Sequence, residues 1–512
     1  MFKRVLAIIL TICCIVAVFG ACTKTETNGK KDTDKDGNWT KVEKVDEPNY
    51  QSGNMTLAEF EKAYRPYTDW RIYEIRTTVS DVKPAEGGTA YYVSNKGSAT
   101  NDGLTPETPV EKYINIMGKL KKGDVVYFER GSEFRDTITV SKEGITLAAY
   151  GEGKAPVFIP YKESCVGKGK WEETDTPNVY KFHEKVLSDV GVVVFDEKDY
   201  TYKSFKTDKD VSNSKSKKFV NSYKDLKEDL QLYHDRLKFD VYVYCEKGNP
   251  GEIYSEGEFV VANSAIKTTV NDVTIDGLCI KYAGFGVDSV AGDGKGVVKG
   301  LVVRNCEFGW IGGYSLSAED ERLGNAIQIW GGAVDFIVDN NYFYQIYDAG
   351  ATFQFISDSL EVVSENIQFI NNVFDYNNYS IEYFITAAGN STIKDFVIDN
   401  NLCWYAGDGM CEQRPDRNGP NHIKSWSHNN KLVNQIKVTN NLFALGFRQL
   451  CETRDDTGIG AAYDNNVYAQ TEGKRVAMNG SMEDYFKMDK NIKANIEKEL
   501  GDKNATIITI AK

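Results

Sequence analysis

Histidine is scarce in this 512-residue chain, which has four: His183, His234, His422 and His428. Neither a Cys-x-x-Cys pair nor a His-Glu-x-x-His run accompanies them, so the usual spacings of a structural or catalytic zinc site are missing. A phosphate-binding loop is missing too: "GDGKG" at 292–296 lacks the required spacing and the closing Ser/Thr, and reads as a turn. Positive charge is in deficit, with 61 Lys and Arg against 74 Asp and Glu, a formal net charge of −13. No nucleic-acid partner is expected from such a balance, because phosphate binding needs a basic face.

Long apolar stretches are also rare, and the one that matters stands at the start. Lys3 and Arg4 precede an apolar run from Val5 to Phe19, and Gly20-Ala21 lead to Cys22. This is the pattern of a secretory signal, too short for a comfortable membrane span. Small residues before a cysteine resemble the lipobox of bacterial lipoproteins, with Cys22 as the lipidated residue; Phe19 stands where Leu is usual, and ordinary cleavage near Ala21 is the alternative. Residues 1–22 are therefore expected to be a signal peptide and the mature chain an extracytoplasmic lipoprotein at the bacterial cell surface, held to the membrane by acyl chains on Cys22. Losing Lys3 and Arg4 moves the net charge from −13 to −15. Residues 23–55 have no apolar period and read as a hydrated tether. Of ten cysteines, Cys13 and Cys14 leave with the signal and Cys22 is the anchor; the other seven have no spacing that suggests a disulfide framework.

What the chain does have is a repeat. Apolar-x-Asn-Asn-x-apolar recurs as "IDGLCI" from 275, "VRNCEF" from 303, "VDNNYF" from 338, "FINNVF" from 369, "IDNNLC" from 398, "VTNNLF" from 438 and "YDNNVY" from 463. The third place is Asn in six of the seven copies, and the starts lie 28, 35, 31, 29, 40 and 25 residues apart. These units contain no run of ten or more residues with a helical period, so a helical solenoid is excluded. Short Val/Ile/Phe/Tyr-rich pieces separated by Gly and Asn predict one coil of a right-handed, single-stranded parallel β-helix per unit, an all-β solenoid. Asn fits the bend between strands because it tolerates a left-handed backbone and can bond the Asn one coil away. Asn340, Asn371, Asn400 and Asn440 should then form one column, with apolar residues from Ile275 and Ile280 to Tyr463 and Tyr468 filling the core.

On these motifs the chain resembles the pectate-lyase-like superfamily of β-helix proteins, in particular uncharacterised bacterial carbohydrate-active members. "YYVSNKGSATNDGLTPETPVEKYINIMGKLKKGDVVYFERGSEF" (91–134) looks like the entry segment of such proteins, with a helix from Pro109 to Leu120 plugging the open end. "GNAIQIWG", "YSIEYF" and "QRPDRNGPNHIKSW" look like recurring features of the same group. The expected order is an N-terminal helical cap with the first coils (56–158), an inserted β-rich module (159–262), the main β-helix (263–478) and a C-terminal cap (479–512). The Lys-rich run "KSFKTDKDVSNSKSKK" (203–218) inside the insertion reads as a solvated loop.

The coil order that the resemblance implies makes 326–330, 352–356, 380–384 and 409–414 the functional strands. Side-chain alternation then turns Gln328, Gln354, Glu382 and Glu412 outward in one row. Solvated polar decoration or salt-bridge scaffolding would explain such a row, but two carboxylates one coil apart repel, a cost with no structural return. Asp348, Arg414 and the 415–430 excursion carrying His422, Lys424 and Trp426 fall beside it, and Trp330 stands at the strand end. Acids, cations and rings together are what a sugar site needs, although His422 in its loop can equally be bonding backbone. Three functions fit. A glycoside hydrolase would use Glu382 and Glu412 as acid and nucleophile, in either assignment. A polysaccharide lyase would use Lys424 or Arg414 as base, with Ca²⁺ held by Glu382, Glu412 and Asp348. A non-enzymatic glycan-binding surface protein would need neither. No cofactor is expected outside the lyase reading, and the protein should be a monomer whose partner is a polysaccharide.

Overall fold

The computed structural model describes residues 39–206, 218–315, 322–414, 419–426 and 431–511. The signal segment, Cys22, His428 and most of the Lys-rich run lie outside these, as do parts of the 415–430 excursion.

Three long parallel sheets carry the fold, and successive strands pass from one to the next. Strands of the first sheet, such as Gly332–Asp339, Val363–Ile370 and Thr392–Asp399, end at the Asn bend. Short strands after the bend, such as Tyr342–Ile346, Val373–Asp375 and Leu402–Trp404, form the second sheet. The third sheet includes Phe285–Val290, Ile327–Trp330, Ala349–Ser357, Tyr379–Ala387, Asn421–Ser425 and Cys451–Arg454. This is a parallel β-helix. Its interior is one continuous apolar core that includes Ile275, Ile280, Tyr463 and Tyr468. Equivalent rings stack from coil to coil: Phe343 lies 5.1 Å from Phe308 and 4.8 Å from Phe374, nearly parallel to both.

The expected column is present, and each Asn pair divides its labour. Asn305, Asn340, Asn371, Asn400, Asn440 and Asn465 all take the left-handed conformation (φ 55–60°), with Gly277 (φ 75°) in the same place in "IDGLCI". Several bond along the axis, Asn400 donating to Asn371 at 2.8 Å and Asn465 to Asn440 at 2.8 Å. The second Asn of each pair points inward and is fully buried: Asn341, Asn372, Asn401, Asn441 and Asn466. Each of their carbonyl oxygens accepts a backbone N–H from the coil before. For Asn401 that donor is Asn372 at 3.0 Å, and the Asn401 amide in turn donates to Asn441 at 2.9 Å and to the Phe369 carbonyl at 2.9 Å. Asp502 closes the ladder by accepting from Asn466 at 3.1 Å.

Three expectations need correction. No α-helix runs from Pro109 to Leu120; two 3₁₀ turns, Tyr113–Asn115 and Met117–Lys119, stand there, and Val110, Tyr113, Ile116 and Leu120 join the main core. Among the described residues the long helix is α1, Leu57–Thr77, begun by a Thr56/Glu59 capping box. It buries Phe60, Tyr64, Thr68, Ile72 and Ile75, a helical spacing, and lies on the flank of the second sheet. There Phe60 meets Trp404 at 5.1 Å, and Arg76 grips Glu307 with two bonds of 2.9 and 2.8 Å. The tether stops short of residue 55, because Gly53–Met55 is a strand paired with Thr506–Ile510 at the far edge of the second sheet. Lys203, read as part of a solvated loop, is buried and paired with Asp189 at 2.5 Å.

Between 159 and 262 run a six-stranded and a three-stranded sheet with a core of their own that includes Trp171, Phe182, Phe195 and Phe259. The seven cysteines from Cys165 to Cys451 are all free and buried. At the C-terminus, helical turns over 492–500 bury Ile492, Ile496 and Leu500 against the core and end at left-handed Gly501 (φ 75°).

Candidate functional site

The third sheet sets the site by its register. Asp288 pairs with Gln328, Gln328 with Thr352, Thr352 with Glu382 and Glu382 with Lys424, so these five residues form one row along the axis. A second row, two residues further along each strand, runs Val290, Trp330, Gln354, Phe384. Trp426 stands two residues beyond Lys424. Gln354 therefore belongs to the apolar row and not to that of Gln328 and Glu382, while Thr352 takes the place expected for it. The displacement is two residues, which keeps every side chain on the expected face but moves it one position along.

Beside the rows lies a cavity of about 680 Å³, lined by Asp288, Asn325, Gln328, Trp330, Asp348, Gln354, Phe384, Glu382, Arg414 and Trp426 among others. Glu382 is 4% exposed. Burial, and then the charge of Asp348, push its carboxyl up to about 8, while Arg414, Trp426 and Lys424 oppose the rise. Asp348 is bound to Arg414 at 2.6 Å, and both are buried. The Arg414 guanidinium sits 5.6 Å from the Tyr347 ring and 5.8 Å from that of Tyr379. Lys424 is taken up by Glu452 at 2.5 Å, with its ammonium 4.3 Å from the Trp426 ring centre. At the other end, burial raises Asp288, which accepts from Gln328 at 3.3 Å. Gln328 in turn accepts from Asn325 at 2.7 Å and Gln354 at 2.9 Å. Trp330 and Trp426 remain 37% and 42% exposed, unusual for so large an apolar ring.

Of the residues singled out from sequence, the cavity brings together Gln328, Trp330, Asp348, Gln354, Glu382, Arg414 and Trp426, with Lys424 at its edge. Two are not there. Gly409–Gln413 is a 3₁₀ turn and not a strand, so the neighbour of the Glu382 strand is Asn421–Ser425. Glu412 is exposed on that turn, accepting the Gly409 N–H at 3.3 Å. His422 is fully buried between Ser380 Oγ (3.1 Å) and the Ala444 carbonyl (3.0 Å), and burial pushes it down to about 3. A ring held neutral between these two partners does not change its charge near pH 7. Glu412→Gln should accordingly leave turnover within about twofold of the parent, an outcome that initial rates check directly; a hundredfold loss of the kind expected for a proton-transfer residue would restore Glu412 to the site.

Asp288, Asn325, Thr352 and Phe384 were not anticipated. Asp288 sits in "FGVDSV", whose alternation marks a strand, but nothing in that string gives its register against Gln328. Among the described residues, the one close group of three metal-type side chains is Glu163, His183 and Glu184 in the insertion. Its carboxylates are already engaged by Lys170 and Lys162.

No family model matches the chain, and no curated protein matches it. Solved structures resemble it at low identity. One described as a glycoside hydrolase is 10% identical, covers 83% of this chain and 97% of its own, with a TM-score of 0.39. The pectate lyase Pel9A is 12% identical over 77% of this chain and 71% of its own, at 0.36. An alginate lyase from Paenibacillus is 10% identical over 77% and 93%, at 0.34.

Proposed function

We propose that the chain is a carbohydrate-active enzyme, a glycoside hydrolase in which Glu382 is the general acid and Asp348 the base or nucleophile. The observation that carries this reading is the contrast between two neighbouring carboxyls. Glu382 is buried and pushed up to about 8, whereas Asp348 is held against Arg414 at 2.6 Å. Burial favours the protonated form of the first, while a guanidinium in contact with the second offers a counter-charge, so the pair provides an acid beside a carboxylate. Asp288 is a poorer partner. It stands three strand steps from Glu382 along the row, about 14 Å at 4.8 Å per step, beyond the roughly 6.5–9.5 Å of an inverting pair. The exposed rings of Trp330 and Trp426 offer apolar faces on which sugar rings can stack.

Lyase chemistry fits less well because the two cations it would use as base are paired, Arg414 with Asp348 and Lys424 with Glu452. Those same pairs argue for a substrate without carboxylates. In this reading the protein works outside the cytoplasm on a polysaccharide, tethered through acyl chains on Cys22.

Incubating the purified protein with a polysaccharide panel tests the reading. New reducing ends without unsaturated, ultraviolet-absorbing products are expected; unsaturated products would install the lyase, and glycan binding without any product a non-enzymatic role. Activity should fall as pH rises through about 8, since the acid must carry its proton. A rate that climbs through that range would remove Glu382 from the acid role.

A further inference from the structure

The inserted module lends no carboxylate to the cavity among the described residues, yet it grips the turn that leads into Arg414. The Gln413 side-chain oxygen accepts the backbone N–H of Lys203 at 3.2 Å and a guanidinium N–H of Arg322 at 3.0 Å. Its amide nitrogen donates to the Thr201 carbonyl at 3.2 Å. One carboxamide thus joins the insertion, the strand Arg322–Leu323 and the 409–413 turn. The insertion side is itself rigidly held. Lys203 is paired in the interior with Asp189, which also accepts the Ser315 N–H at 2.7 Å. Arg322 donates to Gly313 at 2.6 Å and to Gly191 of the insertion at 3.1 Å. At Gly191 the two backbones touch, because an added Cβ would stand 2.4 Å from the Gly313 carbonyl carbon. Arg322 and Arg414 lie over the same Tyr347 ring, at 4.5 and 5.6 Å.

We infer that Gln413 is a positioning residue through which the inserted module fixes Arg414, and with it the Asp348/Glu382 pair. The inference rests on the hydrolase reading for its kinetic consequence, but not for its structural one. Arg414 follows Gln413 directly, and its hold on Asp348 is the link by which a displaced turn would reach the carboxylates.

The test uses the full-length protein. Gln413→Met has nearly the same length but cannot donate and accepts only weakly through sulfur; Gln413→Glu retains the oxygen that Lys203 and Arg322 share. Gln413→Met should lower kcat about tenfold with KM within about twofold, as small misplacements of reacting groups do. Gln413→Glu should recover most of that loss. Without substrate, carboxyl NMR titration of Glu382, assigned with Glu382→Gln, should find its midpoint raised in Gln413→Met. The groups acting on Glu382 are Asp348, Arg414, Lys424 and Trp426, and loosening Arg414 leaves Asp348 less opposed. If Gln413→Met does not fold, Gln413→Asn, which withdraws the same atoms by one methylene, replaces it in both measurements. An unchanged Glu382 midpoint in a folded variant overturns the positioning role. Failure of the hydrolase reading would look different: the parent would give no hydrolysis product, while the midpoint comparison would still stand or fall alone.

Discussion

Glu382→Gln should lose about 10²- to 10⁴-fold in kcat while folding normally, the range typical of a general acid. The substitution keeps the side chain's shape and its ability to accept from Trp426, but it removes the proton that is delivered. The same change should alter how stability depends on pH. Glu382 rises in the folded protein from an ordinary 4.5 to about 8, so between those values the native state holds a proton that the unfolded chain releases. Stability from this residue is therefore present at low pH and lost as pH climbs through that window. Melting curves at pH 6 and pH 9 check the point: the parent should lose more than the Gln variant on going to pH 9. Parallel losses in both would mean that the carboxyl is not buried in the way described, whatever happened to the rate.

The largest expected loss of stability comes from the inner Asn ladder. Asn401→Leu should cost about 2–6 kcal/mol, because it takes the side-chain partner from two buried groups, each worth roughly 1–3 kcal/mol when orphaned. Those groups are the Asn372 N–H and the Phe369 carbonyl, while the Asn441 side-chain oxygen loses one bond and keeps the Asn401 backbone N–H at 3.0 Å. The neighbouring Asn400→Leu should cost less, about 1–3 kcal/mol, since Asn400 is at the rim and loses chiefly its bond to Asn371 and an easy left-handed backbone. Chemical denaturation of the two variants side by side measures the difference. Equal losses would show that the second Asn of each pair carries no more load than the first.

The coil order was legible because an Asn at a left-handed bend leaves a mark that repeats, and the apolar places on either side of it follow strand alternation. A second left-handed column, at the ends of the second-sheet strands, left no such mark: Tyr282, Trp310, Gln345, Tyr376, Tyr405 and Leu445 occupy it, residues that seldom adopt that conformation. Helix α1 was hidden in another way, since Pro66 interrupts its pattern and its apolar stripe faces a sheet whose contacts with it lie 231 to 344 residues away in sequence. Site residues were legible as far as face and failed at register. Glu382, Asp348 and Arg414 follow from alternation and proximity in the chain, whereas the pairing of Gln328 with Thr352 is decided by the turn lengths between coils. Glu412 was misplaced because "GMCEQR" alternates like a strand, while Gly409 (φ 84°) begins a tight turn there.

The strand Gly53–Met55 gives the molecule a late step in its assembly. Coils can stack on their neighbours as the chain is made, since each needs only the one before it. Seating the N-terminal strand on Thr506–Ile510 is another matter, for the Ile507 N–H bonds Ser52 Oγ across 455 residues of sequence. Until residues 506–510 are made, the edge strand at Val467–Thr471 has neither Thr506–Ile510 nor, beyond it, Gly53–Met55 to cover it. Loop-closure entropy grows only slowly with length, so the delay is one of synthesis more than of free energy. The edge left waiting is the kind of unpaired strand that recruits other chains. Protection of that edge therefore arrives with Thr506–Ile510 and the N-terminal strand seated on it.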